Sequence, residues 1–225
     1  MTPGNAITAL RQHTVEGKAL QMAAYHKSKR PFLGVANPMI DEEVKNWRAA
    51  LDIDGRVALA DGLWKSGYFE ARIAAAKLLT QARITPDDAV WSLIKSWVPE
   101  FDGWAIADHA CTAGRKRIEA DPRRLDEVEE WTKSPHMWTR RAALVITLPW
   151  TKQNNPKPAD LEIRERVLGW AASYVDDTNW FIQKSISWWL RDLGKHDPNR
   201  TRAFVETHGE RMKPFAVKDA IRKLK

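Results

Sequence analysis

Three stretches of this chain share one design, and they constrain the fold more than any other feature of its 225 residues. EARIAAAKLL (70–79), TRRAALVITL (139–148) and IQKSISWWLRDL (182–193) each set a basic residue near the start. Small and apolar side chains follow at helical spacing. The segments around them read the same way. In YFEARIAAAKLLTQA, the residues Tyr68, Ile73, Ala76, Leu78 and Leu79 form a broad helical stripe. TPDDAVWSLIKSWV opens with Thr85-Pro86-Asp87-Asp88. That order predicts a cap, a first-turn proline and two acids at the positive end of the helix dipole. The stretch ending in SWWLRDLG stops at Gly194, a C-terminal glycine signal, with Pro198 beyond it. The breaks are short, at 31–38, 99–103, 133–137 and 151–158. No alternating strand is followed by a tight hairpin turn. The pattern predicts about a dozen helices and an all-α fold.

The similar helices are spaced as repeats. Arg72 and Arg141 stand 69 positions apart, the segment around Asp108 fills the gap, and Lys184 lies 43 further on. Such spacings fit a superhelical solenoid of HEAT-like or armadillo-like helical pairs, with repeats of about 40–47 residues. Stacked pairs form a concave surface lined by one helix of each pair. The expectation is a single domain over 1–225, with 151–158 its most flexible connection.

Charge narrows the function classes. The chain has a formal charge of +7, and the excess sits at the ends. Residues 1–40 carry five Lys/Arg against Glu16, and residues 200–225 carry eight against three acids, so the middle nets −2. Two basic ends on a concave surface predict a basic cleft that grips phosphate backbone; two solvated helical ends are the plainer alternative. The one cysteine, Cys111, excludes an internal disulfide framework and a cysteine-based metal cluster. It suits a reducing, cytoplasmic setting. The N-terminus lacks the apolar run of a signal peptide, and no stretch has membrane length. There is no Gly-x-Gly, no H-E-x-x-H and no G-x-S-x-G. Gly62 and Gly67 have P-loop spacing, but Tyr68 stands where lysine is needed. An enzyme built from this chain works with carboxylates, aromatics and basic groups, without a metal or a cofactor.

Three helices carry such groups. In FDGWAIADHAC, Trp104 and Asp108 are at i and i+4 and share one face. In MWTRRAALV, Trp138, Arg140 and Arg141 crowd the start of an apolar helix. In WFIQKSISWWLRD, Lys184, Trp188 and Arg191 make a basic and aromatic stripe, while Trp189 turns about 100° away, into the core.

These segments resemble the DNA alkylation repair family, the AlkD-like DNA glycosylases built from HEAT-like repeats. FDGWAIADHAC, WTRRAALV and FIQKSISWWLRDLGKHDP carry the resemblance; YHKSKRPFLGV and LWKSGYFEARIAAAKLL extend it over roughly residues 20 to 205. The resemblance implies removal of cationic alkylated purines, such as N3-methyladenine and N7-methylguanine, by hydrolysis of the N-glycosidic bond in duplex DNA. It places the catalytic aspartate on Asp108, the two cleft tryptophans on Trp104 and Trp188, the cleft arginine on Arg141 and an aromatic contact on Tyr25. Lys184, Arg140, Arg191 and Lys27 are the expected DNA ligands around them. Ser185 and Ser187 depart from the small residues of the family's third motif, and the twelve tryptophans are many; both bear on substrate range. The expected partner is alkylated duplex DNA, bound by a monomer with no obligate protein partner and no membrane.

The chemistry suits these residues. N-alkylation makes the purine cationic and a good leaving group. The protein has to stabilise positive charge, first on the base and then on an oxocarbenium-like sugar. An indole face beside a cation contributes about 0.5–2 kcal/mol, and a carboxylate stabilises the sugar cation and orients water. Each residue also has a plainer use. Trp104 fits a core, Asp108 an ion pair, and Arg141 a bridge between repeats like that expected of Arg72. Two alternatives from other classes stand beside the enzyme: a non-catalytic HEAT-like module that binds nucleic-acid structure, and a protein-interaction scaffold.

Overall fold

A computed structural model describes residues 1–224. Among these residues there are thirteen α-helices and no strand; the single extended pairing is a Thr14–Val35 bridge. The all-α expectation holds. The chain groups into two compact units, Met1–Asp121 and Pro122–Lys225.

The first unit contains α1 (Pro3–Arg11), α2 (Lys18–His26), α3 (Asn37–Ala50), α4 (Ile53–Lys65), α5 (Phe69–Leu78), α6 (Asp88–Trp97) and α7 (Trp104–Ala120). Its centre is α5, which packs against α3, α4 and α7. Ala71, Ala74, Ala75 and Ala76 keep α5 slim enough to be surrounded, and every residue of it but Lys77 is buried. Two of those buried residues are charged, and both have partners, as burial requires. Arg72 donates to Trp64 O at 3.2 Å and to Glu100 Oε2 at 2.7 Å, with its guanidinium 4.3 Å from the Trp64 ring. It is the bridging arginine the repeat pattern predicts. Glu70 accepts backbone N–H groups from Leu33 (2.9 Å), Gly34 (2.7 Å) and Val35 (3.2 Å). The chain turns at Gly34 with φ +77°, and a Cβ there would come 3.1 Å from Ala19 N, so only glycine fits.

The second unit contains α8 (Leu125–Trp131), α9 (Met137–Ile146), α10 (Pro158–Ser173), α11 (Trp180–Leu193), α12 (Pro198–His208) and α13 (Pro214–Ile221). Its centre is α11, against which α9, α12 and α13 pack. Trp189 is fully buried there, and its Nε1 donates to Thr147 Oγ1 at 3.2 Å. The connection at 151–158 is tied down at its start. The buried Arg164 donates to Trp150 O at 2.6 Å and to Gln153 O at 2.7 Å.

One local expectation is corrected. Thr85-Pro86 does not open a helix; α6 begins at Asp88, and the Asp87 carboxylate accepts from the buried Arg117 at 3.0 Å rather than capping the turn. The expected stop at Gly194 holds: it is the C-cap of α11, with a right-handed φ of −60°. A Cβ there would stand 2.8 Å from Leu224 Cδ2 and 3.3 Å from Leu190 O, a close fit.

Candidate functional site

In the first unit the site is built on the opening of α7. Phe101 is buried, Asp102 forms an ion pair with Arg30 at 2.7 Å, and Gly103 is extended, so Trp104 becomes the first residue of the helix. Ala105, Ile106 and Ala107 face inward, while Trp104 and Asp108 are half-buried one turn apart. Trp104 has aromatic company. Tyr25 meets it edge-on at 6.0 Å between centroids, and His26 lies tilted at 5.2 Å. His26 in turn lies 4.5 Å from Phe69. Tyr25 is 71% exposed, and Lys27 just after it is exposed as well.

A cavity of about 200 Å³ lies beside this cluster, and Met22, His26, Phe69, Trp104 and His109 are among its lining residues. Burial holds His26 below the ordinary imidazole value, against a pull upward from Glu70. Burial, then the Lys77 ammonium, hold His109 low as well, against Asp108 and Asp41. Both rings are therefore neutral at pH 7.

In the second unit the expected DNA ligands carry carboxylate partners. Arg140 donates to Asp177 Oδ2 at 2.8 Å and to the carbonyls of Ser134 (2.9 Å) and Pro135 (3.0 Å). Lys184 donates to Asp219 Oδ2 at 2.8 Å, and Arg191 donates to both Asp219 oxygens at 2.9 and 2.8 Å. Burial pushes Asp219 up, but donation from Lys184, Arg191 and Ser187 outweighs it and brings its pKa down to about 2. Arg222 adds a third cation at 3.5 Å, so positive charge remains in surplus around that carboxylate. Arg141 is 4% exposed, with its guanidinium 5.7 Å from the Trp138 ring, so a phosphate contact would require its side chain to swing outward. Trp188 is half-buried, and its Nε1 donates to Asp192 Oδ2 at 3.1 Å. Among the described residues no group of three His, Cys, Asp or Glu is placed to hold a metal ion.

Sequence reading missed His26, Phe69 and Asp219. A signal was available for the aromatics. Phe69, Trp104 and Trp180 are the first residues of α5, α7 and α11, and Trp138, Phe181 and Phe215 are the second residues of α9, α11 and α13. Alternate helices thus open with a ring.

A family model described as "DNA alkylation repair enzyme" matches residues 6–224. A solved structure described as a predicted DNA alkylation repair enzyme from Enterococcus faecalis is similar with a TM-score of 0.78 and 18% identity, over 94% of this chain and 97% of that one. AlkD2 from Streptococcus mutans is similar with a TM-score of 0.63 and 19% identity, over 84% and 91%. The structure of smu.31 from Streptococcus mutans UA159 gives 0.62 and 19%, over 84% and 92%. A search of curated proteins finds no match. No helix among the described residues is long and apolar enough to cross a membrane.

Proposed function

The chain belongs to the DNA alkylation repair enzyme family, and from that premise we propose that it is a monofunctional glycosylase releasing cationic alkylated purines, such as N3-methyladenine and N7-methylguanine, from duplex DNA. The observation that carries the reading is the opening of α7: a half-buried indole, edged by the exposed Tyr25, one helical turn from the half-buried Asp108.

The roles follow from charge. The Trp104 face stabilises the positive base by cation–π attraction, about 0.5–2 kcal/mol. As the C1′–N bond opens, positive charge moves to the sugar. Asp108 stabilises it there and accepts a proton from the attacking water. Trp188 offers a second indole face. Tyr25 and Lys27, both exposed, contact the DNA backbone directly. Lys184, Arg191 and Arg140 supply positive field around their carboxylate partners, and Arg141 fixes Trp138 at the start of α9.

The test is release of methylated bases from methylated duplex DNA by purified wild type and Asp108→Asn. Release by wild type that is lost or greatly slowed in the variant supports the reading. Equal rates overturn the role of Asp108. A folded wild type that binds the DNA but releases nothing replaces the glycosylase with a nucleic-acid-binding module.

A further inference from the structure

Asp219 gathers more positive charge than an ion pair needs. Lys184, Ser187 and Arg191 stand at i, i+3 and i+7 on one face of α11, and α13 packs Asp219 against it. Lys184 Nζ, Arg191 Nη1 and Ser187 Oγ lie 2.8, 2.8 and 2.9 Å from the same carboxylate oxygen, Oδ2. Arg222, the C-cap of α13, brings its guanidinium to 3.5 Å from Oδ1, and its side chain is 60% exposed. Three cations around one carboxylate leave two positive charges in surplus. Lys184 and Arg191, touching one oxygen, are no further apart than twice their distance to it, and they repel one another. The carboxylate between them is what makes that closeness stable. Their donors are not exhausted, for an ammonium has three N–H groups and a guanidinium five. Arg191 reaches Asp219 through Nη1, and its Nη2 stays outside those bonds. Trp188 stands at i+4 from Lys184, so the surplus charge lies beside the second indole.

We infer that Lys184, Arg191 and Arg222 form a single seat for one backbone phosphate of DNA, and that Asp219, with Ser187, is the positioning residue that holds the seat together. The inference rests on the DNA-acting reading and adds to it a carboxylate that helps to bind an anion. A phosphodiester carries one negative charge and two unesterified oxygens, which suits a cluster with positive charge to spare. Long basic side chains lose rotamer freedom when they grip a phosphate. Asp219 removes that freedom beforehand, and gives up one unit of attraction in doing so. Its pKa of about 2 keeps it ionised at pH 7. Ser187 departs from the small residues of the resembled motif, and here its hydroxyl has a use in fixing the carboxylate.

The sign of one substitution tests this. By charge alone, Asp219→Asn makes the protein more positive and tightens its hold on DNA. A positioning role predicts the opposite. The experiment is binding of the full chain to labelled undamaged duplex DNA, followed by fluorescence anisotropy between about 50 and 200 mM salt. Asp219→Asn should bind at least about fivefold more weakly than wild type, because two long side chains must then be ordered on binding. Asp219→Glu, which keeps the charge, should recover most of that loss. Arg222→Gln should lower the slope of log affinity against log salt by about 0.9, the counterions released by one phosphate.

An Asp219→Asn protein that binds as tightly as wild type, or more tightly, overturns the positioning role. An unchanged slope in Arg222→Gln overturns the seat. If Asp219→Asn does not fold, Arg222→Gln, at an exposed position, decides the matter. Base release from methylated duplex, measured on the same samples, separates the seat from the glycosylase. Release by wild type with binding unchanged in the variants removes the seat and keeps the glycosylase. Weakened binding in the variants, with no release by any of the proteins, keeps the seat and removes the glycosylase. A folded wild type that binds no duplex removes both.

Discussion

The same pair of residues occurs twice in this molecule, and the two copies are used differently. Trp104 and Asp108 in α7 and Trp188 and Asp192 in α11 are both a tryptophan followed four positions later by an aspartate. In α11 the pair is closed on itself. The Trp188 indole donates to Asp192, which is 6% exposed and also accepts from Lys195 at 2.6 Å. In α7 the tryptophan opens the helix, the aspartate stays half-buried, and the rings nearest the indole are Tyr25 and His26 from α2. Spacing puts two side chains on one face. Position along the helix decides what that face meets. The pair in the last turns of α11 meets Lys195 just beyond the helix end, whereas the pair at the start of α7 lies beside a neighbouring helix.

The largest expected effect separates the two aspartates. Asp108→Asn should slow release of N7-methylguanine from methylated duplex by about 10²–10⁴-fold, the range for loss of a general base. Asp192→Asn should act on stability instead, lowering it by about 1–3 kcal/mol in urea titrations because it weakens a buried acceptor with several donors. If Asp192→Asn abolished release without loss of stability, the comparison would break. The tryptophans sharpen it. Trp104→Leu should slow release by about 2- to 30-fold, the equivalent of one cation–π contact, and Trp188→Leu should slow it less in the same assay.

Smaller effects appear in the pH dependence of stability. Asp219 has a folded pKa of about 2, below its ordinary value of 3.8. Between those values the unfolded chain binds more protons. The Asp219 contribution is therefore whole above pH 3.8 and is lost as pH falls toward 2. Urea midpoints of wild type should fall through that window, and those of Asp219→Asn should fall less. His26 and His109 are both held below 6.5, so the unfolded chain gains protons first as pH drops. The melting temperature should decline below pH 6.5, with a shallower decline in His26→Phe.

Much of the fold was legible because helix breaks are local. The stretches 99–103, 133–137 and 151–158 separate helices, and apolar spacing told Trp189, in the core, from Trp188, only half-buried. What escaped depends on residues distant in the chain. Gly194 was read as a helix stop and is one, but the Leu224 side chain that packs beside it could not be read from that segment. Lys184 and Arg191 do form a stripe, yet their partner Asp219 stands 35 and 28 residues further along, on another helix. His26 gave no signal of its own; it reaches Trp104 only because α2 and the following loop are folded against α5.

A buried carboxylate makes part of that attachment. Glu70 gathers three consecutive amides of the connection between α2 and α3 onto the innermost helix of its unit. Surface connections ordinarily exchange their amide protons quickly, through small openings that leave the rest intact. The protons of Leu33, Gly34 and Val35 are instead bonded to a carboxylate that becomes accessible only when α5 itself is exposed. In deuterated water they should survive as long as the amides of α5, marking a loop whose lifetime is that of the core, and Glu70→Gln should return them to the pace of their neighbours.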